Sequence, residues 1–270
     1  MRSAITVSLV PQAAGGPFVF WKGLADACEQ ASALGFDAIE IFPPNADTLD
    51  VPAIHELLTK HNLAVAAVGT GGGWVLNKWT LTHADAEVRE RARGFVRGIV
   101  EKAAALGAPA ILGSMQGRAE GEVSREQAQA WLGEALDDFG AHAANLGQPF
   151  LYEPLNRYET NLIQRTPDAA AWLRTLRGKN VRILSDLFHM SIEEPDIAAA
   201  LREAGALVGH VHFADSNRRA IGLGHTDTAP IIAVLRAIGY TGFLSAEILP
   251  LPDSAAAARQ TIESFRRFTA

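Results

Sequence analysis

Cysteine is nearly absent: Cys28 is the only one in 270 residues. One thiol closes no disulfide within the chain and builds no thiolate metal cluster. In Ala25-Asp26-Ala27-Cys28-Glu29 it reads as a small hydrophobe on a helix face. A basic excess is absent too. The net charge of −6 argues against a nucleic-acid surface. No apolar run approaches the roughly 20 residues that a membrane-spanning helix needs. The N-terminus enters a strand directly, without a signal-peptide pattern, so a reducing, cytoplasmic compartment is the expectation. There is no linker and no low-complexity tract. Gly15-Gly16 does not fit the phosphate-binding turn of a doubly wound sheet. Gly71-Gly72-Gly73 lacks the Lys-Ser/Thr of a phosphate loop and reads as a flexible loop.

What is present is an alternation. Short apolar runs recur at Ala4–Val10, Asp37–Phe42, Ala64–Gly69, Pro109–Leu112, Gln148–Tyr152, Val181–Ser185, Leu207–Val211 and Phe243–Ala246. Strands apolar throughout suit a parallel sheet covered on both faces. Helical patterns lie between them: Trp21–Leu34, Val51–His61, Asp85–Leu106, Glu126–Leu146, one from Thr166-Pro167, one opened by Pro195, Pro230–Ile238, and Ser254–Phe268. Ser124 and Thr166 read as helix caps, and Leu34-Gly35, Leu106-Gly107, Leu146-Gly147 and Ile238-Gly239 as helix ends. Eight strand–helix units in a chain near the usual length of about 250 residues predict a single (β/α)8 TIM barrel, one domain over residues 1–270.

In such a barrel the chemistry sits where strands end. The fifth strand delivers Glu153, the sixth Asp186, the seventh His212 and the eighth Glu247, at spacings of 33, 26 and 35 residues. Two Glu, one Asp and one His at four successive strand ends point to one divalent metal site. The oxygen-rich set suits Mn²⁺ first, with Mg²⁺ or Co²⁺ as alternatives. His189 reads as a donor to a substrate oxygen, and Arg218 as a clamp on a hydroxyl or carboxylate. His210 shares the side of His212 but lies deeper, and reads as a satisfied core histidine. Trp21, Trp74 and Trp79 serve equally well as substrate wall or as packing.

The segments Glu153-Pro154-Leu155-Asn156-Arg157-Tyr158-Glu159, Asp186-Leu187-Phe188-His189-Met190 and His212-Phe213-Ala214-Asp215-Ser216-Asn217-Arg218 resemble the xylose-isomerase-like barrel superfamily. Within it they resemble the tagatose and psicose 3-epimerase group. Gly69-Thr70-Gly71, Thr82-His83 and Gly117–Gly121 resemble a subgroup acting on keto-gluconates. The resemblance implies that Glu153, Asp186, His212 and Glu247 hold the metal, that Glu153 and Glu247 are the catalytic acid and base, and that Glu159, His189 and Arg218 bind substrate. It implies epimerisation of an unphosphorylated ketose or keto-sugar acid through a cis-enediolate. Aldose–ketose or hydroxypyruvate isomerisation is the alternative. Inosose dehydration and abasic-site DNA cleavage are more distant ones. A small sugar is the expected ligand, with no nucleic-acid or membrane partner, and a homodimer or homotetramer as the assembly. After Arg218 the family continues with Pro-Gly and later an aromatic. Here Ile221 and Thr228 stand in those places, so the sugar itself is not named.

Overall fold

A computed structural model describes residues Met1–Ala270. Eight strands form its centre: β1 Arg2–Ser8, β2 Ala38–Phe42, β3 Ala64–Gly69, β4 Ala110–Leu112, β5 Phe150–Tyr152, β6 Val181–Asp186, β7 Val208–His212 and β8 Phe243–Ala246. Each pairs in parallel with the next, and β8 pairs with β1 to close the barrel in strand order. Around it run α1 Leu24–Leu34, α2 Val51–His61, α3 Gly72–Asn77, α4 Ala86–Ala105, α5 Arg125–Asn145, α6 Thr166–Thr175, α7 Leu187–Glu193, α8 Ile197–Ala204, α9 Thr228–Ala237 and α10 Ser254–Thr269. The expected (β/α)8 barrel is the observed fold. No helix is long and apolar enough to cross a membrane.

Side chains two apart on a strand share a face, and that parity organises the interior. Leu151 and Leu184 meet Ala67 and Ile111 in one small cluster, while Ala4, Ala38, Ala66 and Phe243 form another. Residues from so many strands meet only inside the barrel, where these clusters form its apolar floor. Two positions further along the same strands stand Glu40, Glu153, Asp186 and, beyond Ser245, Glu247. The larger core fills the space between the strands and the helices, and Cys28 is buried there on α1.

Local chemistry fixes the helix ends. Ser124 caps α5 by accepting from the Gln127 amide at 3.1 Å, as expected. Asp50, Asp85, Asp196 and Asp253 do the same for α2, α4, α8 and α10. Gly107, Gly147 and Gly239 adopt φ of 73–76° just beyond α4, α5 and α9, a left-handed conformation that glycine reaches without strain.

Several boundaries differ from the sequence reading. α1 begins at Leu24 rather than Trp21, because Phe20 is tied to β1 on both sides: its amide bonds to Thr6 and its carbonyl to Ser8. Thr166 lies inside α6 and does not cap it; Arg165 is the cap residue, and the Thr166 amide is taken by Glu194 at 2.7 Å. Asp196, not Pro195, opens α8. Two short helices, α3 and α7, were not foreseen. The Gly71–Gly73 run is not a slack loop. Gly72 and Gly73 are buried in the first turn of α3, where a Cβ would lie 2.4 Å from the Pro43 carbonyl and 2.6 Å from the Met115 sulfur.

Close approach also governs β7. A Cβ on Gly209 would fall 2.4 Å from Arg182 Cβ and 3.0 Å from a Leu151 methyl, whereas one on Gly94, exposed on α4, would meet nothing. Gly209→Ala is expected to lower unfolding stability by about 1–3 kcal/mol. Gly94→Ala is expected to raise it by about 1 kcal/mol. Urea denaturation of the two variants checks both signs.

Candidate metal centre and substrate chamber

The four residues expected at strand ends converge. Ligand-capable atoms of Glu153, Asp186, His212 and Glu247 all lie within 4.8 Å of one another, the first three residues buried and Glu247 partly so. Glu153 follows β5, and its amide still bonds to the Leu112 carbonyl of β4. Its own carbonyl accepts from Gln116, which also accepts from the buried Tyr152 hydroxyl. Room for the carboxylate comes from Gly113, where a Cβ would sit 2.5 Å from Glu153 Oε2. Asp186 ends β6 and caps α7, one oxygen accepting from the Phe188 amide at 2.7 Å and the other facing the cluster.

His212 is held from behind. Its Nε2 lies 3.0 Å from Glu40 Oε1, while the other Glu40 oxygen lies 2.8 Å from His210 Nε2. The opposite ring nitrogen, Nδ1, faces Asp186 at 3.3 Å, Glu153 at 3.5 Å and Glu247 at 3.7 Å. When Nε2–H is donated to Glu40, Nδ1 is left with its lone pair toward the carboxylates. His210 is the satisfied core histidine the sequence suggested. Its partner Glu40 was missed, although a lone acid in Ala38-Ile39-Glu40-Ile41-Phe42, on the inward parity, is a signal that it needs a buried partner.

The substrate candidates also gather here. His189, carried on α7, accepts at Nδ1 from the Asn156 side chain at 2.7 Å. The ring proton is therefore on Nε2, which points between Glu153 and Asp186 at 3.8 Å from each. Asn156 was quoted in the sequence motif but given no role there. Arg218 reaches the Glu247 carboxylate, lies 3.6 Å from Glu159, and stacks 4.6 Å from the Phe188 ring centre. Asp215, which sequence reading passed over, shapes the Arg218 loop by accepting from the amides of Ser216, Gly222, Gly224 and Thr226. Ile221 is buried, and its carbonyl accepts from Ser264. Of the three tryptophans, only Trp74 lines the chamber. Trp79 packs on Phe95, and Trp21 lies edge-on to Phe18, which takes the place at the wall.

The cluster suits a cation. Glu153 Oε1 is buried without any hydrogen bond, a costly state unless something positive sits beside it. Three carboxylates and one imidazole nitrogen make an oxygen-rich set for one divalent ion. Burial pushes the Glu153 carboxyl up to about 8 and raises Glu247, although Arg218 and His212 pull Glu247 back. Burial acts to raise Asp186 and Glu40 as well, but positive neighbours outweigh it: His189, His212 and Arg218 for Asp186, and the two histidines for Glu40. Both stay below the usual carboxylate range. Burial opposes charge on His212, yet Glu40, Glu247, Asp186 and Glu153 raise it well above the ordinary histidine value. Burial lowers His189 to about 4, so it is neutral near pH 7.

Residues 28–268 match the family described as xylose isomerase-like TIM barrel. The chain belongs to that family. D-psicose 3-epimerase of Agrobacterium fabrum is 31% identical over 223 residues, covering 79% of this chain and 75% of that protein. L-ribulose 3-epimerase of a Methylomonas species is 29% identical over 243 residues, covering 86% and 83%. The crystal structure of 3-keto-D-glucoside 4-epimerase from Escherichia coli superposes with a TM-score of 0.82 at 24% identity, covering 99% of this chain and all of that one.

The buried charges set a pH dependence for the metal-free barrel. Between about pH 6.5 and 8 the folded state keeps protons on Glu153 and His212 that the unfolded chain has released, so stability falls as pH rises. His189 has the opposite sign, but its effect is complete once the unfolded histidine is neutral. At about 1.4 kcal/mol per pH unit for each proton held, Glu153 alone contributes a loss of about 2 kcal/mol across this window. Thermal melts after chelator treatment should show this decline, with a shallower slope in Glu153→Gln. A wild-type profile that is flat or rises from pH 6.5 to 8 would contradict it.

Proposed function

We propose that this chain is a divalent-metal-dependent epimerase that inverts a carbinol centre next to the ketone of an unphosphorylated ketose or keto-sugar acid. The observation that carries this is the pair Glu153 and Glu247, converging with Asp186 and His212 at the open end of the barrel. The epimerase relatives support the same reading, and the use of Gly72–Gly73 in packing supports an unphosphorylated substrate.

Glu153, Asp186, His212 and Glu247 would hold the cation. Once bound, it would draw electron density from a ketone and its neighbouring hydroxyl, making the intervening C–H more acidic. The remaining work falls to side chains. One glutamate takes the proton from carbon, and the C–H electron pair moves toward the carbonyl. The other glutamate gives a proton to the opposite face of the flattened carbon, which inverts the centre. One must begin as carboxylate and the other as acid, and the reverse reaction exchanges them. Burial, which raises both carboxyls, favours keeping one proton on the pair. His189, with its proton on Nε2, donates to a substrate oxygen. Arg218, held by Glu247 and Glu159, fixes a second oxygen so that the reacting carbon lies between the glutamates. Mn²⁺ is the ion we favour. Isomerisation differs only in returning the proton to the adjacent carbon.

Proton NMR in D₂O with Mn²⁺ and a panel of ketoses and keto-gluconates tests the reaction. Deuterium should enter the carbon beside the ketone, and the product should carry the inverted centre. An aldose product would replace epimerase by isomerase, and no exchange with Mn²⁺, Mg²⁺ or Co²⁺ would remove the proposal. Glu247→Gln should lower turnover by at least about a hundredfold. Glu40→Gln should weaken Mn²⁺ binding, read by calorimetry on the folded protein, by about 10–100-fold, because it loosens the ring that presents Nδ1.

A further inference from the structure

The chamber over the cluster leads into a larger space that the chemistry above does not use. The chamber measures about 420 Å³, within the range of about 300–1,000 Å³ usual for small-molecule sites. Beside it lies a trough of about 710 Å³. Trp74, Lys78, Ser114, Leu155 and Glu159 line both. A ligand anchored at the cluster can therefore continue past them into the trough.

Most of the trough's lining residues are polar or glycine, and the apolar ones are Ala84, Leu155 and the aromatic Trp74 and Tyr158. Six large apolar side chains are exposed on the molecule, and the only aromatic ones, Trp74 and Tyr158, both stand here. Tyr158 is 76% exposed, a conspicuous position for an aromatic ring. The hydroxyls of Thr80 and Ser114, the Lys78 ammonium and the Arg118 guanidinium reach no hydrogen-bond partner and no carboxylate, and Lys78 Nζ lies 3.9 Å from the Trp74 ring centre. The two cations face three carboxylates, Glu120, Glu122 and Glu159, on the same wall, so the surface does not select an anion. Aromatic faces set among unused hydroxyls and donors, with no excess of positive charge, suit a neutral, polyhydroxylated ring. Its C–H face can lie on the aromatics while its hydroxyls meet the polar groups.

We propose that the trough is a second sugar subsite, and that the preferred substrate is a keto-sugar carrying a further sugar in glycosidic linkage rather than a free monosaccharide. This rests on the epimerase reading: the reacting carbons sit at the cluster and the linked sugar lies between Trp74 and Tyr158.

The test uses the full-length, Mn²⁺-loaded enzyme and deuterium exchange beside the ketone. Three substrates are compared: cellobiose oxidised to a ketone at C3 of its non-reducing unit, the methyl glycoside of the same keto-sugar, and a free ketohexose. The expected result is at least a tenfold higher kcat/KM for the disaccharide than for the methyl glycoside, with the ratio collapsing toward one in Tyr158→Ala and Arg118→Ala. Equal values for all substrates in the wild type would overturn the subsite and leave the epimerase reading standing. If none exchanges, the epimerase reading fails, and the subsite is decided by binding alone. Saturation-transfer NMR with unoxidised cellobiose and the metal-free protein should then show contact that Tyr158→Ala abolishes. Absence of contact with the wild type would overturn it.

Discussion

One imidazole held among four acids governs the open end of this barrel. His212 meets Glu40 on one side of its ring and Asp186, Glu153 and Glu247 on the other. Carboxylates so enclosed would repel one another and lose their hydration. Without a cation, the structure answers by raising the proton affinity of Glu153 and by charging His212. A divalent ion would relieve the same repulsion while freeing those protons. The site is thus an unfavourable arrangement for the bare fold, and it is tolerated because the rest of the barrel is apolar and closely packed. Such tension is expected where a fold is specialised for binding or catalysis.

The barrel makes this arrangement reproducible. Strand parity turns the apolar floor residues Leu151 and Leu184 into markers for Glu153 and Asp186 two positions further along. The last residue of β6 has a double duty, because Asp186 faces the cluster with one oxygen and starts α7 with the other. That short helix brings His189 back over the site within one turn. The loop after β7 is stiffened by Asp215, whose four amide contacts set the path that returns Arg218 toward Glu247. Asp186 and Arg218 are therefore placed by backbone features that are themselves hydrogen-bonded, and His189 and His212 are oriented by the side chains of Asn156 and Glu40, as preorganised chemistry requires.

This explains what could be read from the sequence. The barrel and the four converging residues were legible because they obey local rules: short apolar strands, helix ends marked by glycine, and one polar residue at the end of each of four successive strands. Glu40 was not, because its role appears only across the barrel, against residues 170 and 172 positions away. Asn156 lay in plain view, but the ring it orients is 33 residues on. The misread Gly71–Gly73 run has the same cause: three glycines look permissive in one dimension, and Phe42, Pro43 and Met115, brought in by the fold, crowd them one after another. The start of α1 was misplaced because a tertiary tether of Phe20 to β1 overrode the helical pattern of the sequence.

A division of labour around the ring follows. Strands β5 to β8 end in the charged residues, whereas β3 ends at Gly69 and β4 leads into Gly113, where Cβ atoms would crowd Phe42 and Glu153. The half made by β1 to β4 is not idle. Its small residues leave space for the carboxylates to lean across, and its loops, released from holding an ion, supply Trp74, Thr80 and Arg118 to the trough beyond. The trough draws mainly on the β3 and β4 loops, joined by Leu155, Tyr158 and Glu159 from the loop after β5 that also carries Glu153. Changes in the β3 and β4 loops can alter what is accommodated while the four converging residues keep their geometry. The departures at Ile221 and Thr228 fit the same logic: both side chains are buried, and the Asp215 hub that fixes Arg218 is intact beside them.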